Sequence, residues 1–375
     1  MAFNAAQRNA EYEIAILCAL SLEATAVRGV FDEIYEDAGR LRKASSDKLA
    51  YTTGRIGRHK VVLGHMARMG KTHAAVSAQS LLASFGGLKL VLLVGICGGV
   101  PSKSHDGRPD MVLGDVVIGK NVVQMDLGSQ YPDRFARKEG IEDNLGPQRV
   151  EVRAFVEKLE SCKSRFEETT VQRLATLLQK PGFEQSTYPG VERDRLFTPK
   201  YAHKHNDDQA CKCAGSSDIC EDARHASCEQ LGCDTRYLMS RGSRERIFQQ
   251  PAIHFGSIAS GDTVMKSGKH RDNIAEKDGV IAFKMEGAGI WDSLPCVIVK
   301  GVSDYADSHK DKQWQPYAAA VAAACAVAAI EEWDATGGQA TSQVVQTNTW
   351  NNDGNTKVMH QAGYMNFSGN QTFNM

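Results

Sequence analysis

No run of 18 uncharged apolar residues interrupts this 375-residue chain, so the sequence offers no candidate membrane-spanning helix. The opening stretch, MAFNAAQRNAEYE, has no apolar centre of the kind a secretory signal carries. A cytoplasmic protein without a membrane partner is therefore expected. Neither charge sign dominates: 44 basic residues face 45 acidic ones, and no global field would recruit nucleic acid. In a reducing compartment the ten cysteines are expected as thiols rather than disulfides.

Two familiar motifs are also missing. GHMARMGKT (64–72) approaches a phosphate-binding loop, but the pattern needs glycine where His65 stands. Without that freedom the backbone amides cannot curl into a nest, and an ordinary strand-to-helix turn is expected. Cys211, Cys213, Cys220, Cys228 and Cys233, with His203, His205 and His225, raise the question of zinc. Their gaps contain no standard C-x2-C pair. The expectation is buried thiols in a loop-rich segment, with no metal and no cofactor.

What is present alternates. EIAILCAL (13–20), KVVLGHM (60–66), KLVLLVG (89–95) and DMVLGDVVIG (110–119) read as strands apolar on both faces. SLEATAVRGVFDE (21–33) and KTHAAVSAQSLLASF (71–85) between them have helical apolar spacing. Such alternation predicts an α/β sheet with helices on both sides. Residues 128–250 break the pattern. A helical stretch, 149–180, is followed by polar, turn-rich, cysteine-containing sequence, which reads as an insertion beside the core. Strand signals return in IHFGSIAS, VIAFKME and CVIVKGV, and an Ala-rich helix runs from about Trp314 to Trp333. One domain over 1–334 is expected. Residues 335–375 hold seven Asn and five Gln, with only Asp353 and Lys357 charged, and are expected to be a disordered tail.

Three carboxylates fall just beyond strands: Glu23, Glu286 in KMEGAG, and Asp304 in KGVSDYAD. GICGGV (95–100) reads as a glycine-rich turn after a fourth strand, able to let backbone approach a ligand. Ligands of open α/β sheets collect at the carboxyl ends of strands. On the residues alone, the acids could also cap helix N-termini, the lesser of the two readings beside a glycine-rich cradle.

IAILCALSLEATAV, LLVGICGGVP, VLGDVVI, FGSIASGDTVM, FKMEGAG and KGVSDYAD occur in an order and at distances that resemble the purine nucleoside phosphorylase and methylthioadenosine nucleosidase superfamily. The likeness covers about 13–127 and 251–334. LFTPKYAHKH and DSHKDKQWQPYAAA further resemble the version found as an effector module of fungal NLR-type immune receptors. The resemblance implies a three-layer αβα fold with a mixed central sheet and a large helical insertion. It implies cleavage of a purine N-glycosidic bond, with Asp304 protonating the departing base and Ser303 in contact with the substrate. It places Glu286 on the ribose hydroxyls, Met285 against the sugar, and Glu23 as the base that activates water. Gly95, Ile96, Cys97 and Gly98 would lie beside the substrate, and backbone at Ile258, Ala259 and Ser260 would hold the purine. A homo-oligomer is implied as well.

Water or phosphate could be the nucleophile. Hexameric phosphorylases of this resemblance set cationic and hydroxyl donors around the glycine-rich segment, where this chain has Leu93 and Ile96. Without charge-assisted donors, hydrolysis is the expected reaction, although Arg68 keeps a phosphorylase open. Lys266, Lys269 and Arg271 could accept a 5′-phosphate or triphosphate, making AMP or ATP a substrate, or could simply face solvent. Asn, Gln and aromatic residues in 355–375, without proline, suit cross-β stacking and resemble short amyloid signalling motifs. A catalytically silent assembly module joined to such a tail is the rival reading.

Overall fold

The computed structural model describes residues 9–35, 41–101, 110–206, 211–213, 216, 219–239 and 250–334. The expected tail lies outside them. The chain divides into a unit spanning Met1–Thr336 and a second, Gly337–Met375.

The first unit begins with β1 (Ile14–Cys18), α1 (Ser21–Gly29), β2 (Glu33–Ile34), β3 (Ala50–Ile56) and β4 (His59–His65). There follow α2 (Lys71–Ser84), β5 (Leu90–Gly99) and β6 (Val116–Gln124). The insertion then adds β7 (Gly128–Gln130), β8 (Phe135–Arg137), α3 (Val150–Ser161) and α4 (Lys163–Leu178). Two short helices, α5 (Glu221–His225) and α6 (Cys228–Leu231), end it. The core resumes with β9 (Ile253–Ser260), α7 (Gly268–Asp278), β10 (Val280–Lys284), α8 (Gly287–Ile290), β11 (Cys296–Asp304) and α9 (Trp314–Asp334).

Nine strands form one mixed sheet in the order β10-β9-β6-β11-β5-β1-β4-β3-β2. Strands β1, β4, β5 and β11 run parallel, and all residues of β1, β5 and β11 are buried, as strands covered on both faces require. Strand β6 joins β11 antiparallel, and β10 closes back on β5 antiparallel at Phe283–Gly98 and Ala282–Gly99.

Successive residues of β11 show how both faces are filled. Ile298 lies where a Cβ on Gly287 of α8 would touch it, whereas Gly301 points the other way, into the Ala318 carbonyl of α9. A Cβ on Gly301 would come within 2.0 Å of that oxygen, so helix and strand meet backbone to backbone. Alanines 318–320, 322–324, 326, 328 and 329 of α9 are all buried, which explains the alanine run: only small side chains permit so close an approach. This is a three-layer αβα arrangement with a mixed sheet and a cysteine-containing insertion.

Sequence and structure differ in several places: the helix expected over 21–33 ends at Gly29, and the strand expected over 110–119 runs instead over Val116–Gln124. The helical stretch 149–180 breaks into two helices at Cys162. Strand β3 was not legible, because AYTTGRI is half polar and pairs near the sheet edge. Finally, GICGG is no turn. Strand β5 runs through Gly99, carried on by its pairing with β10 and β11.

Candidate active site

Glu23 is the third residue of α1 and reaches back over the helix start. Its Oε2 accepts the amides of Ala19 and Leu20, both at 2.9 Å, and its Oε1 accepts the amide of Ile96 at 2.9 Å. A first-turn glutamate that satisfies orphan amides is the capping arrangement that helices favour. The glycine in β5 makes room for it. A Cβ on Gly95 would sit 2.1 Å from Glu23 Oε1, so Gly95 serves a buried carboxylate rather than a flexible turn.

Glu286 is fully buried just before α8 and does not cap it. The Gly70 amide lies 3.4 Å from its Oε1. Its Oε2 makes no hydrogen bond among the described residues. Lys284 stands between the two glutamates, 3.4 Å from Glu23 Oε1 and 3.3 Å from Glu286 Oε2. A second amine, Lys300 on β11, is buried nearby, and its Nζ has no hydrogen-bond partner among the described residues.

The four groups set one another's charge. Burial pushes the Glu23 carboxyl up, but Lys284 and Lys300, helped by the amides of Ile96 and Leu20, outweigh it and hold it below its usual value. Burial pulls Lys284 down, and Glu23 and Glu286 more than restore it, leaving it raised. For Lys300, burial and the neighbouring Lys284 win, and its amine titrates low. Two carboxylates thus share one firmly charged ammonium in a dry site.

Asp304 closes β11 and is 8% exposed. Its Oδ1 accepts the Ala306 amide at 2.9 Å and Lys310 Nζ at 2.7 Å, and Ser303 Oγ donates to Oδ2 at 3.2 Å. Ala306, with φ of +53°, is the one non-glycine residue in the left-handed region among those described. That strained turn, costing on the order of 1 kcal/mol, aims its amide at the carboxylate. Burial, and then Asp304, push the neighbouring Cys97 thiol up to about 12. Gly95 abuts Glu23 and Gly98 abuts Asp304, three residues apart on β5, or about 10 Å at strand rise.

A cavity of about 230 Å³ opens beside Asp304. Ser303, His309 and Lys310 form one side, and Arg224, Ala226 and Gln230 of the insertion form the other. The buried His309 ring stacks on Phe197 at 4.0 Å, with neither nitrogen hydrogen-bonded among the described residues.

The remaining sequence-derived residues fall on both sides of the ledger. Met285 is half-buried beside Glu286, and Ser260 Oγ links its carbonyl to the Ala288 amide. The backbone of Ile258, Ala259 and Ser260 is not open to a purine as expected, because β9 is paired there with β6 on one side and β10 on the other. Nor do the three cations after β9 act as one cluster. Lys266 and Lys269 are exposed, but Arg271 is buried, donating Nε to Asp272 at 2.7 Å and Nη1 to the Tyr305 carbonyl at 2.8 Å. Arg68 is exposed in the turn before Gly70, and Leu93 and Ile96 are buried without a donor side chain. The turn over 66–70 is no phosphate nest, since its Gly70 amide faces the Glu286 carboxylate. Sequence reasoning missed Lys284, Lys300 and Lys310. The signal for the first two was a lone lysine in each of two otherwise apolar strands, ending VIAFK and inside CVIVKGV.

Residues 13–171 match the family model of the phosphorylase superfamily. A nucleotide-binding leucine-rich repeat (NLR)-like protein of Hyaloscypha variabilis is 32% identical over 327 residues, covering 84% of this chain. The chain belongs to the phosphorylase superfamily. It spans only 29% of that NLR-like relative's length. A 5′-methylthioadenosine/S-adenosylhomocysteine nucleosidase of Mycobacterium bovis is 23% identical, with 84% of this chain and 93% of the relative aligned. The crystal structure of the corresponding Helicobacter pylori nucleosidase superposes with a TM-score of 0.51 at 15% identity, covering 86% of this chain and 99% of that one, a likeness of fold. Among the described residues no helix is long and apolar enough to cross a membrane.

Proposed function

We propose that this member of the superfamily hydrolyses the N-glycosidic bond of purine nucleosides or nucleotides. The observation that carries the reading is a buried carboxylate, Glu286, whose Oε2 makes no hydrogen bond among the described residues. Held only by the 3.3 Å ion pair to Lys284, that oxygen keeps acceptor capacity for a ligand that brings two hydroxyls.

Breaking the bond builds positive charge on the ribose and negative charge on the base. Glu286 accepts the sugar hydroxyls, and its charge stabilises the oxocarbenium-like sugar. Asp304 delivers the proton that lets the base leave. Lys310 and the Ala306 amide fix its orientation. Glu23 receives a proton from the attacking water at Oε1, where the long 3.4 Å contact to Lys284 is the one a water can replace. The cavity beside Asp304 supplies room for the base.

Water is favoured over phosphate by the charges present. Lys284 is already shared by two carboxylates, and neither Leu93 nor Ile96 can hold an anion. Similarity to a nucleosidase over 93% of that relative's length supports the same choice. Adenosine, AMP and ATP are the substrates to test. The likeness to a far longer NLR-like protein supports an effector role within a larger receptor.

The test is chromatography of products from adenosine, inosine, AMP and ATP, each with and without phosphate. Free base and a sugar bearing a C1 hydroxyl, released regardless of phosphate, is the expected result. Release only with phosphate, as the 1-phosphate sugar, would replace hydrolysis by phosphorolysis. No release from any substrate would favour a silent assembly module.

A further inference from the structure

The last part of the insertion is poor in core. From Thr198 to Met239 the buried apolar side chains among the described residues are only Cys213 and Ala223. Nevertheless this segment carries Arg224, Ala226 and Gln230 to the wall of the cavity beside Asp304. Segments of such length with so little apolar burial need a covalent or metal staple to hold a fixed shape.

Of the five thiols expected to be buried in this segment, only Cys213 is. Cys211, Cys220, Cys228 and Cys233 are all partly exposed, and the side chains converge. Cys211 Sγ lies 3.3 Å from Cys213 Sγ and 3.7 Å from Cys220 Sγ, and Cys213 and Cys220 are 3.7 Å apart. His205 Nδ1 completes the group, 3.5 Å from Cys213 and 3.4 Å from Cys220. These separations exceed a disulfide bond, about 2.05 Å, by far. They fit the edges of a tetrahedron around zinc. Zn–S bonds of about 2.3 Å give S···S edges of about 3.8 Å, and a Zn–N bond of about 2.0 Å gives S···N edges of about 3.5 Å.

We propose that His205, Cys211, Cys213 and Cys220 bind one structural zinc ion, which fixes this part of the insertion as a wall of the cavity beside Asp304. Three thiols and an imidazole are a standard closed set for zinc, and their softness selects against magnesium or calcium. The surroundings suit a thiolate centre. Cys220 is the N-cap of α5 and its Sγ accepts the Ala223 amide at 3.4 Å, the kind of contact that steadies a metal-bound sulfur. The link to the cavity is short: α5 carries Arg224, and two residues before His205 the His203 amide donates to Ser308 Oγ at 3.0 Å, four residues past Asp304.

Sequence spacing concealed the site because its ligands come from an irregular loop, with a C-x-C pair, a histidine six residues earlier and a third cysteine seven later. A second group, His203, Cys228 and Cys233, gathers three donors, and no fourth joins them among the described residues. The proposal therefore concerns the first group alone.

Metal analysis of the intact protein, purified without chelator under mild reductant, should find about one zinc per chain. Cys213→Ser and Cys220→Ser should each lose it, while Cys228→Ser and Cys162→Ser should keep it. Because a ligand variant can unfold, the wild type provides an independent reading. X-ray absorption at the zinc edge should show three sulfurs and one nitrogen, and cobalt exchange should give the intense visible bands of a tetrahedral thiolate centre. Hydrogen exchange over 198–239 should rise at least tenfold on zinc removal. Protein without zinc, zinc retained in both ligand variants, or a coordination shell of oxygen would each overturn the proposal. None of these readouts depends on which substrate is cleaved.

Discussion

At the residue scale the three acids separate by what already occupies their oxygens. Glu23 satisfies three backbone amides, so Glu23→Gln turns an NH2 group toward donors and removes a buried charge. A loss of about 3 kcal/mol in urea unfolding is expected, together with lost turnover. Its pH dependence follows from its lowered carboxyl. The stability Glu23 contributes is complete above the unfolded value of about 4.3 and disappears as pH falls through the lower folded value. Between pH 6 and pH 3 the wild-type urea midpoint should therefore fall more steeply than that of Glu23→Gln; parallel curves would mean that the charge is not held in the fold. Glu286→Gln leaves the buried Lys284 with one acidic partner fewer, so a loss of about 3 kcal/mol in urea unfolding is expected here too, while kcat/KM drops on the order of a hundredfold. Asp304→Asn should lower kcat by about 10²–10⁴ with the fold intact, as removal of a general acid does. Wild-type release of base by that variant would sink the assignment of Asp304.

At the scale of elements, the close seating of α9 on β11 is the contact most sensitive to one methyl group. Gly301→Ala would place a Cβ 2.0 Å from the Ala318 carbonyl oxygen. Backbone cannot swing aside as a side chain can, and the helix must lift. A loss of about 3 kcal/mol in urea unfolding is expected, whereas Gly146→Ala, where nothing lies within 4 Å, should be neutral. Equal midpoints for the two variants would mean that α9 can shift at no cost. The same element shows what the sequence made legible. The alanine run announced a helix laid on something flat, and the apolar runs of β1, β5 and β11 were readable because burial on both faces leaves no polar alternation to misread. Strand β3, half polar and near an edge, carried no such signal. At the site, strand ends pointed to Glu23, Glu286 and Asp304, but occupancy could not be read from spacing. Only three dimensions show that the β9 backbone is spent on its neighbours, that Arg271 is tied to the Tyr305 carbonyl, and that two strand lysines turn inward to the glutamates.

At the scale of the whole molecule, every residue placed in the proposed chemistry lies within the unit Met1–Thr336. The composition of the other unit, Gly337–Met375, gives it a different physics. Two charges, no proline, and Asn and Gln interleaved with Phe, Tyr and Met favour stacking between chains over packing within one. Catalysis and assembly should therefore separate at a single cut. A chain ending at Thr336 should keep kcat/KM within about twofold of the full chain, because no side chain assigned a step is removed. The same cut should abolish thioflavin-positive fibres, and a synthetic 355–375 peptide should form them unaided. Fibres from the shortened chain would place assembly in the enzyme's own sheet edge, at β2 or β3. Loss of turnover would instead make the last 39 residues part of the catalytic unit.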